Sequence, residues 1–71
     1  MKMKSEIYVR IPKEKISFLT KIIEGYDNLG IVSTVSPGRG LAVIRVTPDT
    51  EADVRQVLSN LPFVEEIEGP D

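Results

Sequence analysis

Residues 6–11, EIYVRI, alternate apolar and polar, and immediately after Pro12 the apolar spacing becomes helical. This change of period is the strongest constraint on the fold. Period two places Ile7, Val9 and Ile11 on one face of a strand and Glu6, Tyr8 and Arg10 on the other. Proline cannot donate to a strand ladder and restricts the residue before it, so Pro12 ends the strand. From 13 onward, Ile16, Leu19, Ile22 or Ile23, and Tyr26 recur at helical spacing between lysines and glutamates. Gly25 is the expected stop, taking the left-handed conformation that closes a helix, with Tyr26 folding back on the last turn. Asp27 and Asn28 follow as a loop.

The second half repeats the switch. LGIVSTV reads as a second strand, with Leu29, Ile31 and Val35 in one phase and Val32 and Thr34 in the other. SPGRG is a turn. LAVIRV is a third strand, with Ala42, Ile44 and Val46 opposed to Leu41, Val43 and Arg45. TPDTEADVRQVLSNL is a second helix. Its stripe is Val54, Val57, Leu58 and Leu61, Glu51 pairs with Arg55 one turn on, and Thr47, Asp49 or Thr50 caps its start. Pro62 ends it, and FVEEIEG is a short acidic edge strand. The order is β-α-β-β-α-β. Two helices with such stripes bury them against one face of a four-stranded antiparallel sheet, so the expected class is α+β, ferredoxin-like, with one domain over 1–71.

Size and composition narrow the functions. A core of 71 residues rarely supplies more than about 3–5 kcal/mol without a supplement, and the chain has neither cysteine nor histidine. Disulfides, thiolate nucleophiles and ordinary zinc sites are therefore excluded, and self-association is the expected supplement. No metal and no cofactor are expected. The net charge of -2 gives no general attraction to nucleic acid or anionic membrane. Basic residues concentrate before position 48, after which Arg55 is the only one. MKMKSE is not followed by an apolar run suited to a signal peptide or membrane span, so the expected location is cytoplasmic.

SPGRGLAVIRV, residues 36–46, looks most like a functional signature. A phosphate loop needs a closing Lys-Ser/Thr and a following helix, whereas this segment enters a strand. A turn accounts for its residues: Pro37 at the second position of a type II turn, Gly38 at the positive-φ position, Gly40 at a bulge and Arg39 at the exposed tip. RGLAVIRV also resembles the third-strand octamer of RNA-recognition motifs with each aromatic replaced by an aliphatic. Tyr8 alone survives of the stacking platform, which argues against nucleic-acid binding.

Across residues 6–68, IIEGYDNLGIVSTVSPGRG and VTPDTEADVRQVLSNL resemble ACT-like domains, and more closely a family of short uncharacterised bacterial proteins of ferredoxin-like fold. The resemblance implies a small regulatory ligand, such as an amino acid, held between paired domains. ACT ligand loops lie between the first strand and first helix and carry Asp, Pro and Gly. Here IPKEKI keeps the proline as Pro12, lacks the glycine, and fills the loop with Lys13 and Glu14. Pro12, Lys13 and Asn28 are the positions that the resemblance brings nearest such a site.

No catalytic constellation stands out. Glu65, Glu66 and Glu68 form the only carboxylate cluster and read as a solvated edge rather than an acid–base pair, so no enzyme is expected. With Ile7, Val9, Ile11, Ala42, Ile44 and Val46 facing the helices, the opposite sheet face carries Tyr8, Arg10, Leu41, Val43 and Arg45, with Val32 beside them. A contiguous apolar group on a surface marks a partner. Tyr8, Val32, Leu41, Val43 and Arg45 are accordingly the expected self-association face of a homodimer or larger assembly, with pairing along the second strand as the rival geometry. Three classes stay open: a ligand-sensing ACT-like module, a single-strand RNA binder and a pure assembly module.

Overall fold

A computed structural model describes residues 5–26 and 28–68 of the chain, leaving out the side chains of Ser5 and Tyr26. The expected turn at Asp27 and the folding back of Tyr26 lie outside what it describes, as does the end of the last strand at Gly69. The strands are β1 (Ser5–Arg10), β2 (Ile31–Ser36), β3 (Leu41–Val46) and β4 (Glu65–Ile67); the helices are α1 (Ile16–Thr20) and α2 (Glu51–Ser59). The sheet order is β2-β3-β1-β4 and every pairing is antiparallel, as the ferredoxin-like reading requires.

The core confirms the phase read from the first and third strands. Ile7, Val9, Ile11, Ala42, Ile44 and Val46 form one buried cluster with Leu19, Ile23, Val54 and Leu58 from the helical segments. Burying apolar side chains of this size is worth about 1.5–3 kcal/mol each against leaving them exposed, and this layer is the main source of stability. The second helix meets its expectation too. Arg55 Nη2 lies 3.0 Å from Glu51 Oε2, and the same guanidinium reaches Glu66 on β4, tying α2 to the sheet edge. Its start is set by Thr47 and Thr50: Thr50 Oγ1 accepts the Thr47 N–H at 3.2 Å, while the Thr47 carbonyl accepts the N–H groups of Thr50 and Glu51. Exchanged bonds of this kind satisfy donors that a helix start leaves open.

Three local expectations are corrected. The first helix is not uniform: a 3-10 turn (Lys13–Lys15) leads into α1, and a π-helical turn (Lys21–Tyr26) follows it. Gly25 lies inside that wide turn and does not close it. Asn28, at φ 57°, is the left-handed residue, and the Leu29 N–H then donates to the Ile23 carbonyl at 2.8 Å. Asparagine tolerates this conformation because its side chain is short and polar.

The turn after β2 is likewise displaced. Pro37–Arg39 form a 3-10 turn, and the positive-φ glycine is Gly40, at φ 67°, rather than Gly38. A Cβ at Gly40 would stand 2.7 Å from the Ile11 carbonyl oxygen, while one at Gly38 would meet nothing within 4 Å. The close approach has a cause: the Ile11 N–H donates to the Gly40 carbonyl at 2.7 Å, joining the end of β1 to the start of β3. The bulge lies in β2, between Thr34 and Ser36.

The last correction concerns Val32. It pairs with Ile44 and packs against the helix-side core, so it belongs to the covered face. Apolar residues occupy both phases of β2, and its alternation alone could not choose between them.

Candidate functional site

The helix-free face of the sheet follows from strand register. Across its middle run Ser33, Val43, Tyr8 and Ile67; across one end run Ile31, Arg45 and Glu6; across the other run Ser36, Leu41, Arg10 and Glu65. Tyr8, Leu41, Val43 and Arg45 therefore share one face, as expected. Their exposure is not what the alternation implies. Leu41 is 1% exposed and Val43 4%, although neither belongs to the helix-side core. Among the described residues, Val43 lies between Ser33 and Tyr8 and Leu41 between Ser36 and Arg10 in the strand register. Long side chains such as those of Tyr8 and Arg10 can cover apolar surface with their stems while their polar ends reach water.

Those polar ends are joined. Arg45 Nη1 donates to Ser33 Oγ at 3.0 Å, Arg45 Nε lies 3.4 Å from Glu6 Oε2, and Tyr8 Oη donates to Glu6 Oε1 at 3.1 Å. At the opposite end, Arg10 Nη1 stands 4.0 Å from Glu65 Oε1. These links cross from β2 to β4. The hydrogen bond to Glu6 is the chief reason the Tyr8 phenol is raised above its usual 10.0; burial and the Glu6 charge add to the rise, and Arg45 opposes it. Ile31, 60% exposed beside Arg45, and Val35, the extra residue of the β2 bulge, are the open apolar positions of this strand. Alternation alone does not place Ile31 on this face, because apolar residues occupy both phases of β2, and the bulge takes Val35 out of the alternation.

The expected ligand positions are not brought together. Pro12 and Lys13 lie where β1 leaves the sheet, beside the β2–β3 turn, whereas Asn28 lies where β2 enters at the other end. Each end has a concavity. One, of about 370 Å³, is lined by Pro12 with Arg10, Arg39, Phe63 and Glu65. The other, of about 290 Å³, is lined by Asn28 with Leu29, Ile31, Arg45, Thr47 and Thr50. The acidic cluster is divided as well: Glu65 meets Arg10 on the helix-free face, and Glu66 meets Arg55 of α2.

Among the described residues, no helix is long and apolar enough to cross a membrane. Glu24 is the residue whose role was least visible in sequence. Its Oε2 accepts the Val32 N–H at 2.8 Å, eight positions further along the chain.

Neither the curated proteins nor the solved structures contain a match to this sequence. A family model does match, over residues 9–64, from the second half of β1 to the residue before β4. The chain belongs to the family described as Domain of unknown function (DUF4911).

Proposed function

We propose that the protein is a non-enzymatic binding or regulatory module of ACT-like type that associates with a second copy through the helix-free sheet face. The observation that carries this reading is the combination of an uncovered sheet face with an open apolar side chain at its β2 margin, Ile31, and the exposed Val35 in the bulge of the same strand. A small domain gains stability by covering such a surface. Apolar burial at roughly 25 cal/mol per Å², less the cost of association, suits a micromolar contact rather than a tight one. Glu24 favours the face over the edge, because its carboxylate already holds an outward N–H of β2 that strand addition would use.

An amino-acid-sized ligand held between subunits is the finer part of the proposal, supported by the concavities at the two ends of the sheet. An RNA platform has less support. Leu41 and Val43 are buried, the Tyr8 hydroxyl is held by Glu6, and Glu6 and Glu65 place carboxylates on the same face.

The test is light scattering across a concentration series with wild type and Ile31→Lys. The expected result is a wild-type dimer that Ile31→Lys dissociates without loss of fold, since that side chain lies largely outside the core. A wild type that stays monomeric at every concentration overturns the proposal. Val43→Lys is unsuited to the purpose, because it would bury a charge within the monomer.

A further inference from the structure

The concavity at the Pro12 end has a composition that self-association does not explain. Its walls carry two guanidinium groups, Arg10 from the end of β1 and Arg39 from the β2–β3 turn. Its apolar lining is Ile11, Pro12, Pro62, Phe63 and Val64. The adjoining 3-10 turn adds Lys13 and Lys15, with Lys15 Nζ 5.4 Å from the centroid of the Phe63 ring, against Glu14 on the same turn. Basic groups thus gather at one end of a chain whose net charge is -2. The arrangement depends on Gly40, whose left-handed backbone allows the turn bearing Arg39 to close against the end of β1.

Glu65 is the acidic residue in the lining, and its relation to Arg10 is informative. At 4.0 Å the pair is at the limit of an ion pair, and the Glu65 side chain is 69% exposed. A carboxylate fits the guanidinium fork best with two parallel N–H···O bonds. The single long contact leaves that geometry unused.

We propose that this concavity binds a small organic carboxylate bearing an apolar group, with Arg10 and Arg39 on the carboxylate and the half-buried Phe63 and Val64 against the apolar part. Glu65 occupies the edge of the carboxylate position when the site is empty and is displaced from Arg10 by the ligand. The volume, about 370 Å³, falls within the range of small-molecule sites. A guanidinium fork fits a carboxylate or a phosphate, so what favours a carboxylate bearing an apolar group over inorganic phosphate is the apolar lining beside the arginines, which phosphate would leave uncovered. The inference rests on the ligand part of the proposed function and names its chemical class at this end of the sheet. Because the lining residues all come from one chain, binding is measurable whether or not the protein self-associates.

The experiment is an amide-resolved NMR titration with phenylacetate, acetate and inorganic phosphate, repeated on a labelled single-stranded RNA. Phenylacetate is expected to give saturable shifts at Arg10, Arg39, Gly40, Phe63 and Glu65, at least tenfold tighter than acetate or phosphate. Arg39→Gln and Arg10→Gln should each weaken it about tenfold or more, about 1.4 kcal/mol per tenfold, and Arg39→Lys should restore only part of the loss. Glu65→Gln should tighten binding by removing the competing carboxylate. Retained amide dispersion identifies variants that still fold, and either arginine suffices for the test. Absence of saturable shifts, phosphate binding as tight as phenylacetate, indifference to both arginine substitutions, or tighter RNA binding at these residues would each overturn the proposal. Light scattering on the same samples reports self-association separately.

Discussion

Glu24 and Val32 connect the first helical segment to an edge of the sheet: the Glu24 carboxylate accepts the Val32 backbone N–H at 2.8 Å. Val32 belongs to β2, an edge strand, and its side chain packs against the helix-side core. Its N–H therefore points away from β3, toward the side on which another strand could add. Edge strands with open donors invite pairing, and a fixed carboxylate at one of them is an obstacle to it. Glu24→Ala should lower stability by about 1.5–3 kcal/mol, the range for a hydrogen bond to a charged group. It should also increase concentration-dependent association. Urea melts and light scattering measure the two effects. A variant that is neither less stable nor more associated would remove Glu24 from this role.

Gly38 and Gly40 separate cleanly. Gly40→Ala must place a side chain at φ 67° and 2.7 Å from the Ile11 oxygen, so the expected loss is about 1 kcal/mol or more. Gly38→Ala meets open space at an ordinary φ and should be neutral or stabilising by a few tenths of a kcal/mol. Denaturant midpoints of the two variants decide the matter. Equal losses would show that the turn is held in some other way.

This turn also shows where sequence reasoning stops. Pro37, Gly38 and Gly40 announced a turn and fixed the boundary between the second and third strands, but two glycines two positions apart can exchange the left-handed role. The choice depends on the Ile11 carbonyl, a partner far away in sequence. Clean alternation in EIYVRI made β1 legible, and the Ala42, Ile44, Val46 phase did the same for β3. In β2, apolar residues occupy both phases and a bulge shifts the register, so neither the inward Val32 nor the outward Ile31 could be assigned. For the candidate site, the face was legible and its cover was not. Alternation reports which side a residue takes, while the burial of Leu41 and Val43 depends on neighbours from other strands.

That burial makes a prediction. Leu41→Ala on the helix-free face should cost about 2–5 kcal/mol, as for a core leucine, although no helix packs on that side. Ile31→Ala, at a largely exposed position on the same face, should cost less than about 0.5 kcal/mol in dilute monomer. Urea melts at a concentration low enough to exclude association provide the comparison. A Leu41→Ala loss as small as that of Ile31→Ala would mean that solvent reaches Leu41 freely.

The alkaline behaviour of Tyr8 tests the polar links that cross the face. The neutral phenol donates to Glu6, and ionisation would set a phenolate beside that carboxylate, so the folded pKa lies above the usual 10.0. The folded state therefore holds this proton at pH values where the unfolded chain has released it. Stability from the interaction is fully present below about pH 10, the unfolded value, and is lost as pH rises through the higher folded value. Tyrosinate absorbance in a Tyr26→Phe background follows Tyr8 alone. Glu6→Gln should lower its midpoint by removing the acceptor charge, whereas replacing Arg45 by Gln should raise it, because the guanidinium stabilises the phenolate. Tyr8→Phe should remove this contribution to the alkaline slope of stability. A Tyr8 midpoint at or below the usual value, or one unmoved by Glu6→Gln, would mean that the Tyr8–Glu6 contact does not persist in solution and that the polar links over Val43 are not fixed.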